Sequence, residues 1–432
     1  MGFGRMEPSE EPKQSEVQEE SKRIALVPTG NYFRPTPQQA EQSHKFWDSQ
    51  PMPKLVTLLG GPQADSSAGP LDPPKTVADV RQTPYNLPAG FEWLDVDIYD
   101  ETWAQEVYTL LAQNYVEDDD SMFRFDYQIP FLRWALTPEG YFRDWHVGVR
   151  VAGKNKLVGF ITGIPFSVVV YGVRMTMCEI NFLCVHKSLR TKRLAPVLIK
   201  EVTRRVNVRN IWQAVYTAGV VLPSPVAQCR YWHRSLNPVK LVEIGFSRRN
   251  ERLNNTRLTK LYKLPADPLI PGVRAMTRKD VPVVHQLLST YLEHLSLRPE
   301  FTQAEVAHFF LPQDNVIYSF VVVDQESKEV TDFFSFYSLP SSVLMSAKYP
   351  TLRAAYAFYV VANRYPLTAI FKDMLILAKK HGFDVFNALD LMENASVFSD
   401  LRFGQGDGNL QYYLYNWGCK SMTQEKVGLI LV

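Results

Sequence analysis

At 432 residues the chain is long for a single core, which points to two domains or to one domain duplicated. With 46% hydrophobic and 21% charged residues it can fill a large interior, yet no run approaches the ~18 apolar residues that a bilayer span needs. A net charge of +2 without a long basic block gives no case for nucleic-acid specificity. Cys178, Cys184, Cys229 and Cys419 are too scattered for a disulfide framework or a zinc site, and they fit a reducing, cytoplasmic setting.

Residues 1–40 are rich in Glu, Gln, Pro and Ser and read as a disordered arm, neither a secretory signal nor a transit peptide. The chain opens Met1-Gly2, but Met6 stands where a myristoylation acceptor wants Ser or Thr, so it is not expected to be lipidated itself. His44-Lys-Phe-Trp47 brings sudden aromatic bulk. A polar link follows around Gly60 to Lys75, and the folded body is expected from about Thr83. The acidic run Glu117-Asp-Asp-Asp120 precedes Met122-Phe-Arg-Phe-Asp-Tyr127. It is either a solvated face or an acidic, aromatic floor for a basic extended peptide.

Two later regions share one pattern. In the first, a strand from His146 to Val151 turns through Ala152–Lys156 into a second from Leu157 to Ile164, ending at Pro165. A third strand, Cys178 to Val185, leads to a helix from Pro196 to about Val208 and a strand from Trp212 to Thr217. Leu198, Val202 and Val206 give that helix an i, i+4, i+8 stripe. In the second region, Tyr318 to Val323 turns into Val330 to Leu339, ending at Pro340. Then come a strand from Ala355 to Val361, a helix from Pro366 to Lys380 and a strand from Val385 to Leu389. The shared order suggests an internal duplication in a mixed α/β fold.

The chemistry concentrates where the first region's third strand, ending Glu179-Ile-Asn-Phe-Leu-Cys-Val-His-Lys187, breaks into the loop Arg190-Thr-Lys-Arg-Leu-Ala195. A helix start behind a basic loop suits a phosphate, and a bulged strand beside it would aim backbone amides at a carbonyl. An acyl-CoA has both parts; the plain alternatives are a solvated turn and a core strand. The second region has only Asn363-Arg-Tyr365 at the matching loop, so a polyphosphate is expected in the first alone. Cys184, with His186 or His233 as base, is an imaginable nucleophile, but a thiol inside an apolar strand is more often inert. Phe403-Gly-Gln-Gly-Asp-Gly408 lacks the Lys-Ser/Thr of a phosphate loop, and Asp407 favours a cation. The apolar end Val427-Gly-Leu-Ile-Leu-Val432 is either a docked edge strand or the holder of a buried terminal carboxylate used as a base.

These segments, with Tyr231-Trp-His-Arg-Ser-Leu-Asn-Pro238 and Asn387-Ala-Leu-Asp390, together resemble the N-myristoyltransferase family from about His44 to Val432. Arg402 stands where Lys is usual, and the chain ends in Val rather than Leu or Gln. The resemblance implies two GNAT-like halves about a pseudo-two-fold axis, here residues 41–217 and 218–432. Myristoyl-CoA would be the acyl-donor substrate, bound by the first half without cofactor or metal. Much of the peptide groove would come from the second half.

By the same resemblance, Lys45, Phe46 and Trp47 would fold over the CoA. Phe182, Leu183, Cys184 and Val185, with Arg190, Thr191, Lys192, Arg193, Leu194 and Ala195, would bind it. The amides of Phe182 and Leu183 would form an oxyanion hole. Thr217 and the Val432 carboxylate would receive the proton of the attacking glycine amine. Tyr115, Val116, Phe125, Tyr127, Tyr231, His233, Ser335 and Asn387 would line the peptide groove, and Asp118, Asp120 and Asp407 would meet a basic residue of the substrate. The implied partners are N-terminal glycines of nascent or newly exposed chains, with the arm a candidate ribosome tether. A binding protein that keeps both sites without turnover is the alternative.

Overall fold

The computed structural model describes residues 46–53, 68–116, 122–248 and 254–432. Strand β1 (Phe91–Asp95) leads to α1 (Glu101–Asn114), whose start is capped by the Asp100 carboxylate accepting the amides of Thr102 and Trp103. Then come β2 (Phe123–Phe125), α2 (Ile129–Leu136), β3 (His146–Val151), β4 (Leu157–Val170) and β5 (Val173–Val185). Helix α3 (Leu194–Val208), β6 (Ala214–Ala218) and β7 (Ala227–Ser235) complete the first region.

The second region begins with β8 (Val273–Ala275), α4 (Val281–Leu292), β9 (Leu297–Pro299) and α5 (Gln303–Phe310). Next are β10 (Ile317–Val323), β11 (Val330–Ser338), β12 (Ser341–Val343), β13 (Thr351–Leu352) and β14 (Ala354–Val361). Helix α6 (Leu367–Lys380), β15 (Val385–Leu389) and β16 (Gly404–Tyr415) follow.

The predicted duplication is visible in the large sheet, ordered β1-β3-β4-β5-β6-β16-β7-β15-β14-β11-β10-β8. From one side, β3, β4 and β5 are antiparallel neighbours, β5 runs parallel to β6, and β6 meets β16 antiparallel. From the other, β10, β11 and β14 are antiparallel neighbours, β14 runs parallel to β15, and β15 meets β7 antiparallel. The pseudo-two-fold falls between β16 and β7. Each of those strands lies beside the other region's parallel pair, so the halves exchange a strand.

Helix α3 buries Leu194, Leu198, Val202 and Val206 against Val147, Val149 and Ile161 of the first half. Helix α6 buries Ile370, Phe371 and Met374 against Phe334, Phe336 and Phe386 of the second. The opposite faces of both halves merge into one core with α1, α2, α4, α5 and the chain end. The site described below lies on that shared side.

Two expectations need correction. Strand β4 does not stop at Pro165 but continues to Val170. β3 pairs with β4 only as far as His146–Thr162, so the proline stands beyond its neighbour's end, where a missing N–H costs no ladder bond. The body also begins before Thr83. Gly69 bridges Gly418, the Leu71 and Asp72 amides donate to Asn416 Oδ1, and Trp47 stacks on Tyr216 at 5.5 Å.

Candidate active site

The bulge on which the functional reading of β5 depends is present. Phe160 pairs with Cys184 and Thr162 with Asn181, so Phe182 and Leu183 stand opposite the single residue Ile161. Phe182 takes a left-handed φ of 54°, a strained value for an aromatic residue. Packing holds it there: its ring is 1% exposed, with Tyr127 at 5.2 Å and Tyr115 at 6.0 Å. Its amide donates to Asn181 Oδ1 at 2.9 Å. Asn181 Nδ2 in turn donates to a terminal oxygen of Val432. One side chain thus ties the bulged amide to the end of the chain.

That chain end is not the edge strand offered as one reading. After a single bridge from Val427 to Leu297, with the Gly428 amide donating to Leu297 O, residues 429–432 join no strand. Side chains hold them instead. Tyr359 donates to Gly428 O and accepts the Ile430 amide, while Tyr412 donates to Leu429 O at 2.7 Å. Val427, Leu429 and Ile430 are buried and Leu431 and Val432 half-buried, so the chain end is held inward with its carboxylate partly shielded.

A cleft opens beside it. Strands β5 and β6 pair only at Cys178–Ala214 and Glu179–Val215, although both continue past those residues. Thr217 lies on the diverging part of β6, half-buried, opposite Tyr412 on β16. At the outer end of β5, residues Lys187–Lys192 form a tight turn, and Arg193 starts α3 in the left-handed region at φ 56°. No side chain caps that helix start, leaving its first amides to face outward, with Ala195 and Pro196 in the first turn. Thr191, Lys192 and Arg193 are exposed, while Leu194 turns into the core. Arg190 donates to Asn114 O at the end of α1, so its charge is partly committed. Cys184 is buried and its thiol is pushed up to about 12 by burial, which makes it a poor nucleophile.

On the shared side, Tyr115, Phe125, Tyr127, Tyr231 and Tyr356 form a chain of ring contacts between 5.6 and 6.4 Å. Val116, next to Tyr115, is exposed and accepts the Phe125 amide. His233 Nδ1 lies 2.6 Å from Asn387 Oδ1, and burial lowers its pKa, favouring the neutral ring. The glycine-rich segment bulges away from the sheet: Gln405 pairs with Trp232 and Asn409 with Arg230, leaving residues 406–408 over Tyr231. Gly406 is required there, because a Cβ would stand 2.3 Å from His233 Nε2. Arg230 Nε donates to Gly406 O, and Asp407 is carried exposed near His233.

The structure therefore brings together Tyr115, Phe125, Tyr127 and Tyr231, and places His233, Asn387 and Asp407 around one position. Ser335 lies deeper, its hydroxyl donating to Tyr359 O and accepting the Tyr359 amide. Lys45, Asp118 and Asp120 fall outside the described residues. Sequence reading missed Asn181 and Glu179. Their signal was present, two polar side chains at i and i+2 in an apolar strand, both on one face.

Residues 70–229 match a model of the myristoyl-CoA:protein N-myristoyltransferase N-terminal domain, and residues 243–430 match the C-terminal domain of the same family. A glycylpeptide N-tetradecanoyltransferase 2 of Danio rerio is 53% identical over 90% of this chain and 78% of its own length. A glycylpeptide N-tetradecanoyltransferase 1 of Arabidopsis thaliana is 50% identical over 90% of both. Among solved structures, Saccharomyces cerevisiae N-myristoyltransferase with bound myristoyl-CoA superposes with a TM-score of 0.85 at 39% identity, covering 90% of this chain and all of that one. With two adjoining domain models and relatives at half identity spanning nearly its whole length, the chain belongs to the myristoyl-CoA:protein N-myristoyltransferase family.

Proposed function

We propose that the protein transfers a tetradecanoyl group from myristoyl-CoA to the α-amine of an N-terminal glycine, by direct attack and without an acyl-enzyme. The bond from Asn181 to the terminal oxygen of Val432 carries this reading, because it sets a carboxylate beside the Phe182–Leu183 bulge. In this reading, the uncapped start of α3 with Lys192 and Arg193 holds the CoA phosphates. The splayed β5–β6 pair admits the thioester, and the bulged amides receive its developing oxyanion. The Phe182 amide must leave Asn181 Oδ1 to do so.

The base is the Val432 carboxylate, with Thr217 beside the amine. In water, moving a proton from an α-ammonium to a terminal carboxylate is uphill by about four pKa units, roughly 6 kcal/mol. Burial raises the carboxylate's pKa and lowers the amine's, which narrows the gap. The inward-held chain end provides that burial. The aromatic wall of Tyr115, Phe125, Tyr127 and Tyr231 would receive the substrate's first residues, and Asp407 a cation further along.

Mass spectrometry of a peptide beginning Gly, with Ser fifth and Lys after it, tests the reading against a twin beginning Ala. An adduct on the Gly peptide alone is expected. Tight myristoyl-CoA binding with no adduct on either would leave a binding protein instead. No helix among the described residues is long and apolar enough to cross a membrane, so the acyl product, not the enzyme, would carry the membrane affinity.

A further inference from the structure

The proposed reaction leaves a proton with nowhere to go. A glycine ammonium loses two protons on becoming an amide nitrogen. The first goes to the Val432 carboxylate before attack. The C–N bond then forms and the C–S bond breaks. The second proton neutralises the departing thiolate as CoA thiol. The first remains on the carboxyl group of half-buried Val432, beside buried Leu429 and Ile430, and it must reach solvent before the next turnover.

A cavity of about 40 Å³ lies beside that carboxyl group. Since a water needs roughly 10–15 Å³, it can hold a short file of them. Its inner wall is Ile164, Phe358, Tyr359, Leu429, Ile430 and Val432, and its half-buried rim includes Ser167, Glu300 and Glu305. The rim carboxylates are already engaged. Glu300 pairs with exposed Arg174, and Glu305 caps α5 by accepting from Thr302. Tyr359, on the inner wall, is taken up by Gly428 and Ile430.

One lining carboxyl group, that of half-buried Glu179, has no hydrogen bond or ion pair among the described residues, and it borders the same cavity as Val432. It sits two residues from Asn181 on the same face of β5, about 7 Å along the strand from the side chain that holds the terminal oxygen. We propose that Glu179 is a proton-relay residue: it takes the proton left on the Val432 carboxyl group through the cavity and gives its own to solvent at the Ser167–Glu305 rim. It acts through the terminal carboxylate and does not touch the substrate.

The relay needs a group that exchanges protons readily near neutrality. Burial pushes the Glu179 carboxyl up to about 8, which lets it cycle in both directions there. The charged groups facing it are the Val432 carboxylate, Glu305 and the Glu300–Arg174 pair, while Tyr359 stays neutral because burial raises its pKa.

The inference rests on the terminal carboxylate being the base. The test is pre-steady-state tetradecanoyl transfer to the Gly peptide by the full-length chain, wild type against Glu179→Gln. The variant is expected to keep the rate and amplitude of its first turnover while kcat falls about tenfold. Imidazole added as a small proton carrier should restore kcat in proportion to its concentration. Equal kcat in both proteins overturns the relay, as does an equal loss in burst and steady state without imidazole rescue. Should Glu179→Gln not fold, Ser167→Trp plugs the same route at its rim and carries the same expectation. A wild type that makes no adduct sinks the functional reading itself; a wild type that turns over beside an unaffected variant sinks only the relay.

Discussion

Asn181 and Glu179 divide the work of one strand face. Asn181 donates from Nδ2 to Val432 and accepts the Phe182 amide at Oδ1, so Asn181→Leu should release the base from its position. A general base out of position forfeits a contribution of about 10²-fold or more. Single-turnover transfer by rapid quench should therefore fall by at least that, with acyl-CoA affinity unchanged. Glu179 makes a separate, thermodynamic prediction. Its folded pKa, about 8, lies above the usual glutamate range, so the folded state holds the proton more tightly than the unfolded chain. Its stabilising contribution is complete at low pH and is lost as pH rises from about 4.5 to 8, by at most about 1.4 kcal/mol per unit. Urea titrations should show wild-type stability declining through that window, and Glu179→Gln should decline less. At this scale the sequence showed which residues were polar but not which way they pointed. Phe182 is the plainest case, since nothing about a phenylalanine announces a φ of 54°.

Among elements, the two copies of the strand–loop–helix unit look alike and are wired differently. In the second, Asp332 of β11 is fully buried, and its Oδ1 accepts the amides of Asn363, Arg364 and Tyr365. A carboxylate of the chain itself fills the position that an anion would take. At the same end of β4 stand Val158 and Gly159, which offer no acid, and the loop beyond β5 is left with Lys192 and Arg193 exposed. The expectation that only the first copy holds a polyphosphate rested on counting cations; Asp332 adds a reason that such counting could not supply. Removing this carboxylate takes the acceptor from three partly exposed amides, each costing toward the low end of about 1–3 kcal/mol. Asp332→Ala should lower stability by several kcal/mol in chemical denaturation. In the first copy, Lys192→Ala with Arg193→Ala should weaken myristoyl-CoA binding roughly tenfold or more and flatten its salt dependence by calorimetry. Strand and helix spans in both copies were legible because their apolar periods are long and clean. The exception at Pro165 arose because a proline's cost depends on a neighbouring strand, which lies outside the local window.

Taken whole, the molecule is two copies that cannot be pulled apart. β7 and β16 each pair with the other copy, and the final residues return from the second half to reach Asn181 in the first. Cooperative heating with a single calorimetric transition follows, and chains cut between 217 and 218 should not fold separately. The same topology makes the chain end serve two roles that experiment can separate. Deleting residues 427–432 removes buried Val427, Leu429 and Ile430 and strips partners from the Tyr359 and Tyr412 hydroxyls. At about 1.5–3 kcal/mol for each large side chain, that loss rivals the whole margin of a typical fold. Such a truncation should be poorly soluble, and its inactivity would say nothing about chemistry. Amidating Val432 by semisynthesis keeps every apolar contact and an acceptor oxygen for Asn181 Nδ2, and removes only the charge. If the carboxylate is the base, the amidated protein should melt within a few degrees of wild type and bind myristoyl-CoA equally well. Its first-turnover rate should fall at least 10²-fold, the usual scale for losing a general base. An amidated enzyme with a wild-type burst would return the carboxylate to a purely structural role and leave the glycine amine to lose its proton in solution.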